Sequence, residues 1–228
     1  MPEQQVLSGL QFKHELEQEF EAATGLAGRA HYSAIYSIPQ RSPVVWINLN
    51  PGGTPDDHKV LSDDQLATGR HEFWHGHGRT SQATGAFLQR IFEAPLDRLR
   101  SVQGTNVAWE RSRKGGDIDL RASAARAAPF LARYIRHVGP SHLVFGGARA
   151  FDLFIDVHQA GVVGDVDVLR GNWGRHQARL FSAVEIAIEG LGRFRTMTVS
   201  HPSRGVRAGV LERCRAHLSG VTLPFAIT

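Results

Sequence analysis

Residues 43–53 read PVVWINLNPGG, a mostly apolar run followed by turn-forming residues. The apolar part predicts a buried strand over residues 43–49, and Asn50-Pro51-Gly52-Gly53 predicts a tight turn at its end. A strand that is apolar on both faces is typical of a parallel sheet covered by helices on both sides. The stretch therefore predicts an α/β fold with Asn50 just beyond the end of a central strand.

Helical and strand patterns alternate on both sides of this run. Strands are predicted at residues 105–109, 142–145 and 194–200, and residues 180–188 could form another. Helices are predicted at residues 10–24, 83–92, 118–137, 147–158 and 206–218, the third of them kinked or split at Pro129. Residues 54–82 and 161–176 are polar and are predicted to be loops.

Alternation of this kind predicts helices on both faces of a mainly parallel sheet. The expected fold is a three-layer α/β/α sandwich with a central sheet of about four strands. The chain is expected to form one domain over residues 1–228, with residues 1–39 as a helical extension packed on it.

The composition excludes several classes of protein. The chain has 228 residues and one cysteine, Cys214, so it can hold neither an internal disulfide nor a four-cysteine zinc or iron–sulfur site. A reducing compartment follows, which predicts a cytoplasmic location. No stretch approaches the roughly 20 apolar residues of a membrane span, and no signal peptide is evident. We expect a monomer with no cofactor, no iron–sulfur cluster and no membrane contact.

Positive charge is concentrated in the later part of the chain. The net charge is +4, but residues 1–70 carry −4 and residues 71–228 carry +8, almost all of it from arginine. A basic, arginine-rich face suits phosphate backbones, so the charge is compatible with a nucleic acid as the partner. Charge alone leaves open an ordinary arginine-rich surface.

Polar, turn-rich segments follow the predicted strands that end at Leu49, Trp109, Phe145 and Ser200. In open α/β sheets, ligands bind beyond the carboxyl ends of the strands. These segments are therefore expected to converge on one crevice.

Five stretches of the sequence resemble the uracil-DNA glycosylase superfamily, in its mismatch-specific or single-strand-selective branches. They are the first motif Asn50-Pro51-Gly52, the second motif His201-Pro202-Ser203, and the segments at residues 84–88, 105–107 and 142–148. Asn48 departs from the pattern, because the family has glycine there. The resemblance covers roughly residues 40–218.

The resemblance implies a monofunctional DNA glycosylase that hydrolyses the N-glycosidic bond of a flipped-out damaged or modified pyrimidine and leaves an abasic site. Such an enzyme acts in base excision repair or in defence against phage DNA with hypermodified bases. His201 takes the family's role of donor to the base oxygen, and Asn50 takes the role of positioning the water. An amide is no general base at neutral pH, so Asn50 is expected to orient water through hydrogen bonds.

The same resemblance implies the residues that contact substrate. The expected substrate-binding residues are Leu49, Pro51, Gly52, Phe73, Trp74, Asn106 and Ser203. Asn106 is expected to read the base edge and Phe73 or Trp74 to stack on the base. Glycine at position 52 implies room for a base larger than uracil. The expected DNA-binding residues are Arg111, Arg113, Arg204 and Arg207.

Two other functions stay open on the sequence. The first is a catalytically weak module that only binds DNA, since Asn50 lacks a carboxylate. The second is a zinc hydrolase, because His71-Glu72-Phe73-Trp74-His75 matches H-E-x-x-H. Glycines crowd that segment and no third ligand is evident, so no metal site is expected.

Overall fold

The computed structural model describes residues 2–25, 34–52, 61–75, 79–112, 118–173 and 176–227. Its sheet is built around the predicted strand at residues 44–48. The six strands, in chain order, are β1 Val44–Asn48, β2 Gln103–Asn106, β3 His142–Phe145, β4 Gly161–Trp173, β5 His176–Ile188 and β6 Gly192–Val199.

The strands lie in the order β2-β1-β3-β6-β5-β4. The first four in that order are parallel, with Asn48 opposite Asn106 and Phe145 opposite both Ile47 and Thr198. β5 runs antiparallel to β6, and β4 antiparallel to β5. The expected four-stranded parallel core is thus present, and the prediction of about four strands is corrected to six.

Helices pack on both faces of this sheet. They are α1 Pro2–Thr24, α2 Asp63–Ala67, α3 Glu72–His75, α4 Arg79–Phe92, α5 Leu96–Leu99, α6 Leu120–Val138, α7 Ala148–His158 and α8 Ala208–His217, with a 3₁₀ turn at Pro202–Arg204. α6 is one helix through Pro129, which corrects the expected split there. Asp119 caps its first turn and Gly139, at φ 64°, ends it.

Two apolar clusters fill the space between sheet and helices. One joins α1, α6 and α7 to one face of the sheet, with Phe20, Val45, Leu131 and Phe154 among its members. The other joins α3, α4, α5 and α8 to the opposite face, around Trp46. Alternate residues of β1 and β3 enter opposite clusters, as strands buried on both faces require.

The β4–β5 hairpin extends past the end of β6. β5 is last paired with β6 at Phe181 and Val199, whereas β4 and β5 stay paired as far as Trp173 and His176. This end of the hairpin lies at the carboxyl edge of the parallel strands. The structure thereby corrects two predicted loops: residues 161–173 form β4, and residues 54–82 contain α2, α3 and the start of α4.

The amino-terminal helix packs on the rest of the fold through Leu16 and Phe20, which are buried in the first cluster. Val6 contributes with Ile38 and Leu66 to a third, smaller cluster. Within the described part of the chain, no helix has the length and apolar character needed to cross a membrane.

Candidate active site at the carboxyl edge of the sheet

The four parallel strands end together, and polar side chains follow or close each of them. Asn48 and Asn106 end β1 and β2, Gly146 follows β3, and His201 lies two residues beyond β6. β3 separates β1 from β6, so the turns after these two strands lie about 10 Å apart, twice the usual spacing of neighbouring strands.

The turn after β1 is tied to the segment after β2. Asn50 Nδ2 donates to Ser112 Oγ over 2.9 Å and to the Pro51 carbonyl over 3.0 Å. The Ser112 amide donates to that same carbonyl over 3.2 Å, and Gly52 forms a parallel bridge with Ser112. Both of these contacts use the side-chain NH₂ group of Asn50. Its side-chain oxygen, Oδ1, is therefore the atom that can accept a hydrogen bond from a water or a substrate.

His201 is half-buried and its ring orientation is set by Ser203. Its Nδ1 accepts from the Ser203 amide over 3.2 Å and lies 2.8 Å from Ser203 Oγ. A ring nitrogen that accepts from a backbone N–H carries no proton, so the neutral ring carries its proton on Nε2. His201 therefore offers Nε2–H as a donor, and Ser203 positions the ring.

Four hydrogen-bonding side chains lie near the ends of β1 and β2, three of them buried and Tyr36 half-buried. We call Tyr36, Trp46, Asn48 and Asn106 the edge cluster. Trp46 Nε1 donates to Asn48 Oδ1 over 2.8 Å, and Tyr36 Oη donates to Asn106 Oδ1 over 2.6 Å. Asn48 also hydrogen-bonds to the Tyr36 hydroxyl. Burial raises the pKa of Tyr36 to about 12, so its phenol stays protonated and acts as a neutral donor.

Glu72 is a titratable carboxyl group beside the edge cluster. Burial raises its pKa to about 7, against the opposing effects of a hydrogen bond from Ser81 Oγ, 3.1 Å long, and of the positive charge of Arg111. The Glu72 amide donates to the Tyr36 carbonyl, which holds the start of α3 against this end of the sheet. A carboxyl group with a pKa near neutrality is suited to general acid or base catalysis.

The aromatic residues of α3 differ in accessibility. Phe73 is 1% exposed and packs edge-on against Trp46 and Tyr36, so its ring belongs to the core. The expectation that it stacks on a base is therefore corrected. Trp74 is half-buried and packs closely on α4, where a Cβ on Gly85 would lie 3.2 Å from its Nε1. α4 in turn packs against the 3₁₀ turn that follows His201.

The H-E-x-x-H segment is arranged for structure rather than for zinc. His71 is buried; its Nε2 lies 2.8 Å from the Val102 carbonyl and its Nδ1 accepts from the Phe73 amide. His75 Nδ1 accepts from the His71 amide, and its Nε2 lies 3.3 Å from an Arg100 nitrogen. In the described ranges no group of three or more His, Cys, Asp or Glu side chains could hold a metal ion.

The other residues expected to contact substrate differ in their exposure to solvent. Leu49 packs against the first apolar cluster and Pro51 is buried, whereas Gly52 is exposed. A Cβ atom added at Gly52 would have no neighbouring atom within 4 Å, so crowding is not the reason for glycine at this position of the turn. Asn106 is fully buried, and its Nδ2 has no hydrogen-bond partner.

The two expected DNA-binding arginines that the structure describes, Arg111 and Arg207, differ in exposure. Arg207 is exposed and donates to the Asn172 carbonyl, which joins the start of α8 to the β4–β5 hairpin. Arg111 is half-buried, and its charge acts on Tyr36 and Glu72 inside the site. Arg113 and the side chain of Arg204 lie outside the described residues.

The sequence alone did not identify two residues of this site. Glu72 was associated only with a zinc motif, and Tyr36 with a helical extension. The H-E-x-x-H match at least indicated Glu72, but no local pattern indicates Tyr36, because its contacts lie 70 residues away along the chain.

Comparisons with known proteins give little further information. No model of a known protein family matches the chain, and no curated protein matches it. Among solved structures, it is similar to a domain of unknown function (DUF1537) from Bordetella bronchiseptica, a domain-swapped dimer with bound citrate, with 11% identity and a TM-score of 0.35. The match covers 78% of this chain and 42% of that one, so this chain spans less than half the length of its neighbour.

These comparisons correct the resemblance inferred from the sequence. Assignment to the uracil-DNA glycosylase superfamily is wrong, since no model of that or any other known family matches the chain. The two motifs, Asn-Pro-Gly and His-Pro-Ser, are short turn sequences, and proline with a small polar or glycine neighbour is favoured wherever a strand ends in a turn. The roles of Asn50 and His201 therefore rest on their geometry alone.

Proposed function

We propose that this protein is a monofunctional DNA glycosylase, which hydrolyses the bond between a base and its sugar. The observation that carries the proposal is the hydrogen-bond polarity of two side chains at one edge. Asn50 Oδ1 is a hydrogen-bond acceptor, and the tautomer of His201 makes its Nε2–H a hydrogen-bond donor. They lie after β1 and β6, on either side of the turn that follows β3.

Hydrolysis of an N-glycosidic bond needs these two polarities. The bond breaks with positive charge on the sugar and negative charge on the departing base, as in glycoside hydrolysis. A fixed donor such as His201 Nε2–H stabilises the negative charge, and an acceptor such as Asn50 Oδ1 orients the attacking water. Glu72, with its pKa near 7, supplies a carboxylate that can take the proton of that water at or above neutral pH.

The charge of the chain supports DNA as the carrier of the base. Residues 71–228 have a net charge of +8, and they contain β2, β3 and β6 of the site. A basic surface favours a phosphate backbone through the release of counterions. Neither motif is directly followed by a lysine, so we propose hydrolysis without a covalent imine step. Repair and defence against phage DNA remain alternative settings for this activity.

The test is release of free base from DNA. A panel of oligonucleotides carries uracil, hypoxanthine, cytosine, 5-substituted pyrimidines or adenine, and phage DNA with glucosylated cytosine is added. Asn50→Ala and His201→Ala are each expected to reduce release by about 10²-fold or more, as loss of a fixed donor in a hydrolase does. His14→Ala, on α1, is the matched control and should release base as the wild type does.

A module that binds DNA without cutting it is the second candidate, favoured by the amide at position 50. Binding with no release from the panel, equal in wild type and variants, would support it over hydrolysis. A rate of release that rises with pH through about 7, and that Glu72→Gln removes, would support the glycosylase with Glu72 as its base.

A further inference from the structure

The β4–β5 hairpin carries its negative and positive charges in separate halves. The half that lies beside β6, at residues 161–169 and 180–189, has no lysine or arginine and has four acidic residues, Asp165, Asp167, Glu185 and Glu189. Beyond the end of β6, residues 170–179 have three arginines, one histidine and no acidic residue. The positive half therefore lies at the carboxyl edge of the sheet, on the side of the candidate active site.

This positive half is a two-stranded ribbon, and we call residues 170–173 and 176–179 the ribbon. Its four residue pairs, from Arg170–Arg179 to Trp173–His176, extend past the last pair of β5 with β6. At about 3.3 Å for each residue of a strand, the ribbon projects about 13 Å beyond that pair. Its exposed residues include Arg170, Asn172, His176 and Gln177.

Contacts to the helices on both faces of the sheet fix the direction of the ribbon. Arg179 donates to Asp152 Oδ1 over 2.6 Å and to the Ala148 carbonyl over 3.3 Å, both of them in α7. Arg207, directly before α8, donates to the Asn172 carbonyl from the other face. Because α7 follows β3 and α8 follows β6, the ribbon is held by the segments that follow two of the parallel strands.

Arg170 and Arg179 lie directly opposite each other across the ribbon. Side chains at opposed positions start about 5 Å apart, and like charges there repel each other. Asp152 neutralises Arg179, whereas Arg170 is exposed and forms no ion pair with any residue that the structure describes. The pair therefore carries one unbalanced positive charge, and an anion bound beside Arg170 would remove the repulsion.

We propose that the ribbon enters the major groove of double-stranded DNA and that Arg170 binds a backbone phosphate there. The inference rests on the proposed function for the choice of DNA as the partner. A major groove is about 12 Å wide and about 8.5 Å deep and admits a two-stranded ribbon, and this ribbon projects further than that depth. Contacts to phosphate fix the position of a protein on the duplex without reading its sequence. The ribbon would thus hold the duplex beside the candidate active site.

The test is the salt dependence of binding to a short, unmodified DNA duplex, measured by fluorescence anisotropy. Each phosphate contact contributes about 0.9 to the slope of the logarithm of affinity against the logarithm of salt concentration. Arg170→Gln is expected to reduce this slope by about 0.9. It should weaken binding by about 8-fold at about 0.1 M salt, a difference that disappears toward about 1 M. Arg170→Lys keeps the charge and should retain the slope of the wild type.

Arg195→Gln is the matched control. Arg195 is exposed on β6 and lies opposite His142, the first residue of β3, so it is at the other edge of the sheet. Like Arg170, it has no ion pair within the described part of the chain. The control removes the same charge away from the ribbon and should leave affinity and slope nearly unchanged. Equal losses in the two variants would show that net charge alone is responsible and would overturn the inference.

Binding and base release are measured separately, so this inference and the proposed function can fail independently. Weaker binding by Arg170→Gln, with no base released by the wild type, would support the ribbon as a DNA contact and contradict hydrolysis. Base released by the wild type, with equal binding of DNA by Arg170→Gln, would support hydrolysis and overturn the inference.

Three other probes test the DNA duplex as the partner: the single strand, an RNA duplex of the same sequence, and vesicles of anionic phospholipid. The major groove of an RNA duplex is too narrow to be entered, so the RNA duplex should bind more weakly than the DNA duplex. Binding of any of the three that equals or exceeds binding of the DNA duplex would overturn the inference, as would a wild type that binds no duplex.

Discussion

Glu72 makes the stability of this protein depend on pH in a defined direction. The carboxyl group ionises near pH 4.5 in an ordinary setting and near pH 7 in the fold. Between these values the unfolded chain releases a proton that the folded chain keeps, so stability falls as pH rises. The loss is complete above pH 7 and corresponds to about 3 kcal/mol.

Glu72→Gln removes this titration and preserves the size of the side chain. We expect the variant to be more stable than the wild type at pH 8, by about 3 kcal/mol, and equally stable at pH 4. Urea unfolding at the two pH values measures both differences. Glu212→Gln on the exposed face of α8 is the control, and an equal gain in both variants would contradict the assignment.

At the scale of residues, the sequence indicated which polar side chains lie beyond the strand ends but not what they contact. Asn50 and His201 could be placed beyond strand ends because apolar runs followed by Asn-Pro and His-Pro are local signals. Tyr36 and Glu72 could not, since the hydroxyl of one and the pKa of the other depend on contacts made across the fold. Phe73 was misplaced because its apolar neighbours, Tyr36 and Trp46, are distant in sequence.

The turn between β3 and α7 is fitted to the end of β1. A Cβ on Gly146 would lie 2.3 Å from Asn48 Oδ1 and 3.1 Å from the Trp46 ring, which is closer than side chains tolerate. Gly146→Ala must therefore displace Asn48 or shift the turn. We expect a loss of stability of about 1–3 kcal/mol, as for other overpacked sites, measured by urea unfolding.

A matched variant separates crowding from the general cost of replacing glycine. A Cβ on Gly209 in α8 would meet no atom within 4 Å, so Gly209→Ala should stabilise the helix by up to about 1 kcal/mol. Destabilisation of similar size in both variants would show that Asn48 does not crowd Gly146.

At the scale of elements, the burial of each helix or strand determined whether it could be predicted from the sequence. β1 is buried throughout, so a continuous apolar run marked it, and α6 was marked by its helical period and its Gly139 end. β4 is an edge strand with most side chains exposed, among them Val162 and Val166, so no face of it is consistently apolar. Its polar, glycine-containing sequence therefore resembled a loop.

The whole molecule is expected to lose stability in acid because four histidines are held neutral. Burial lowers the pKa of His71 to about 3 and those of His142, His158 and His217 to about 4. Below pH 6.5 the unfolded chain takes up protons at these sites and the folded chain does not, so stability falls as pH falls. Glu72 opposes this trend over the same range, so the net slope near pH 5 is about 4 kcal/mol per pH unit, from about 1.4 for each of the net three protons.

Urea unfolding between pH 7 and pH 5 measures this slope. His158→Gln should lower it by about one third, since unfolding then takes up two protons rather than three. His14→Gln, at a partly exposed position on α1, is the control. A slope that His158→Gln leaves unchanged would contradict a neutral, buried His158.

At the scale of the whole molecule, the alternation of elements predicted the parallel core and the edge on which the site lies. It could not identify a family, because the motifs that suggested one are short enough to arise from turn geometry alone. Local sequence patterns also do not encode the strand order, because the position of β6 between β3 and β5 depends on contacts between segments that are distant in sequence.

The position of β6 has a consequence for synthesis. β4 and β5 leave the ribosome before β6, yet they join the rest of the sheet only through it. A nascent chain therefore carries a detached hairpin and an incomplete crevice until residues 192–199 emerge, with His201 just behind them. Closure of the sheet and assembly of its carboxyl edge become one late event, so a growing chain brings Asn50 and His201 to the same edge only when translation has passed residue 201.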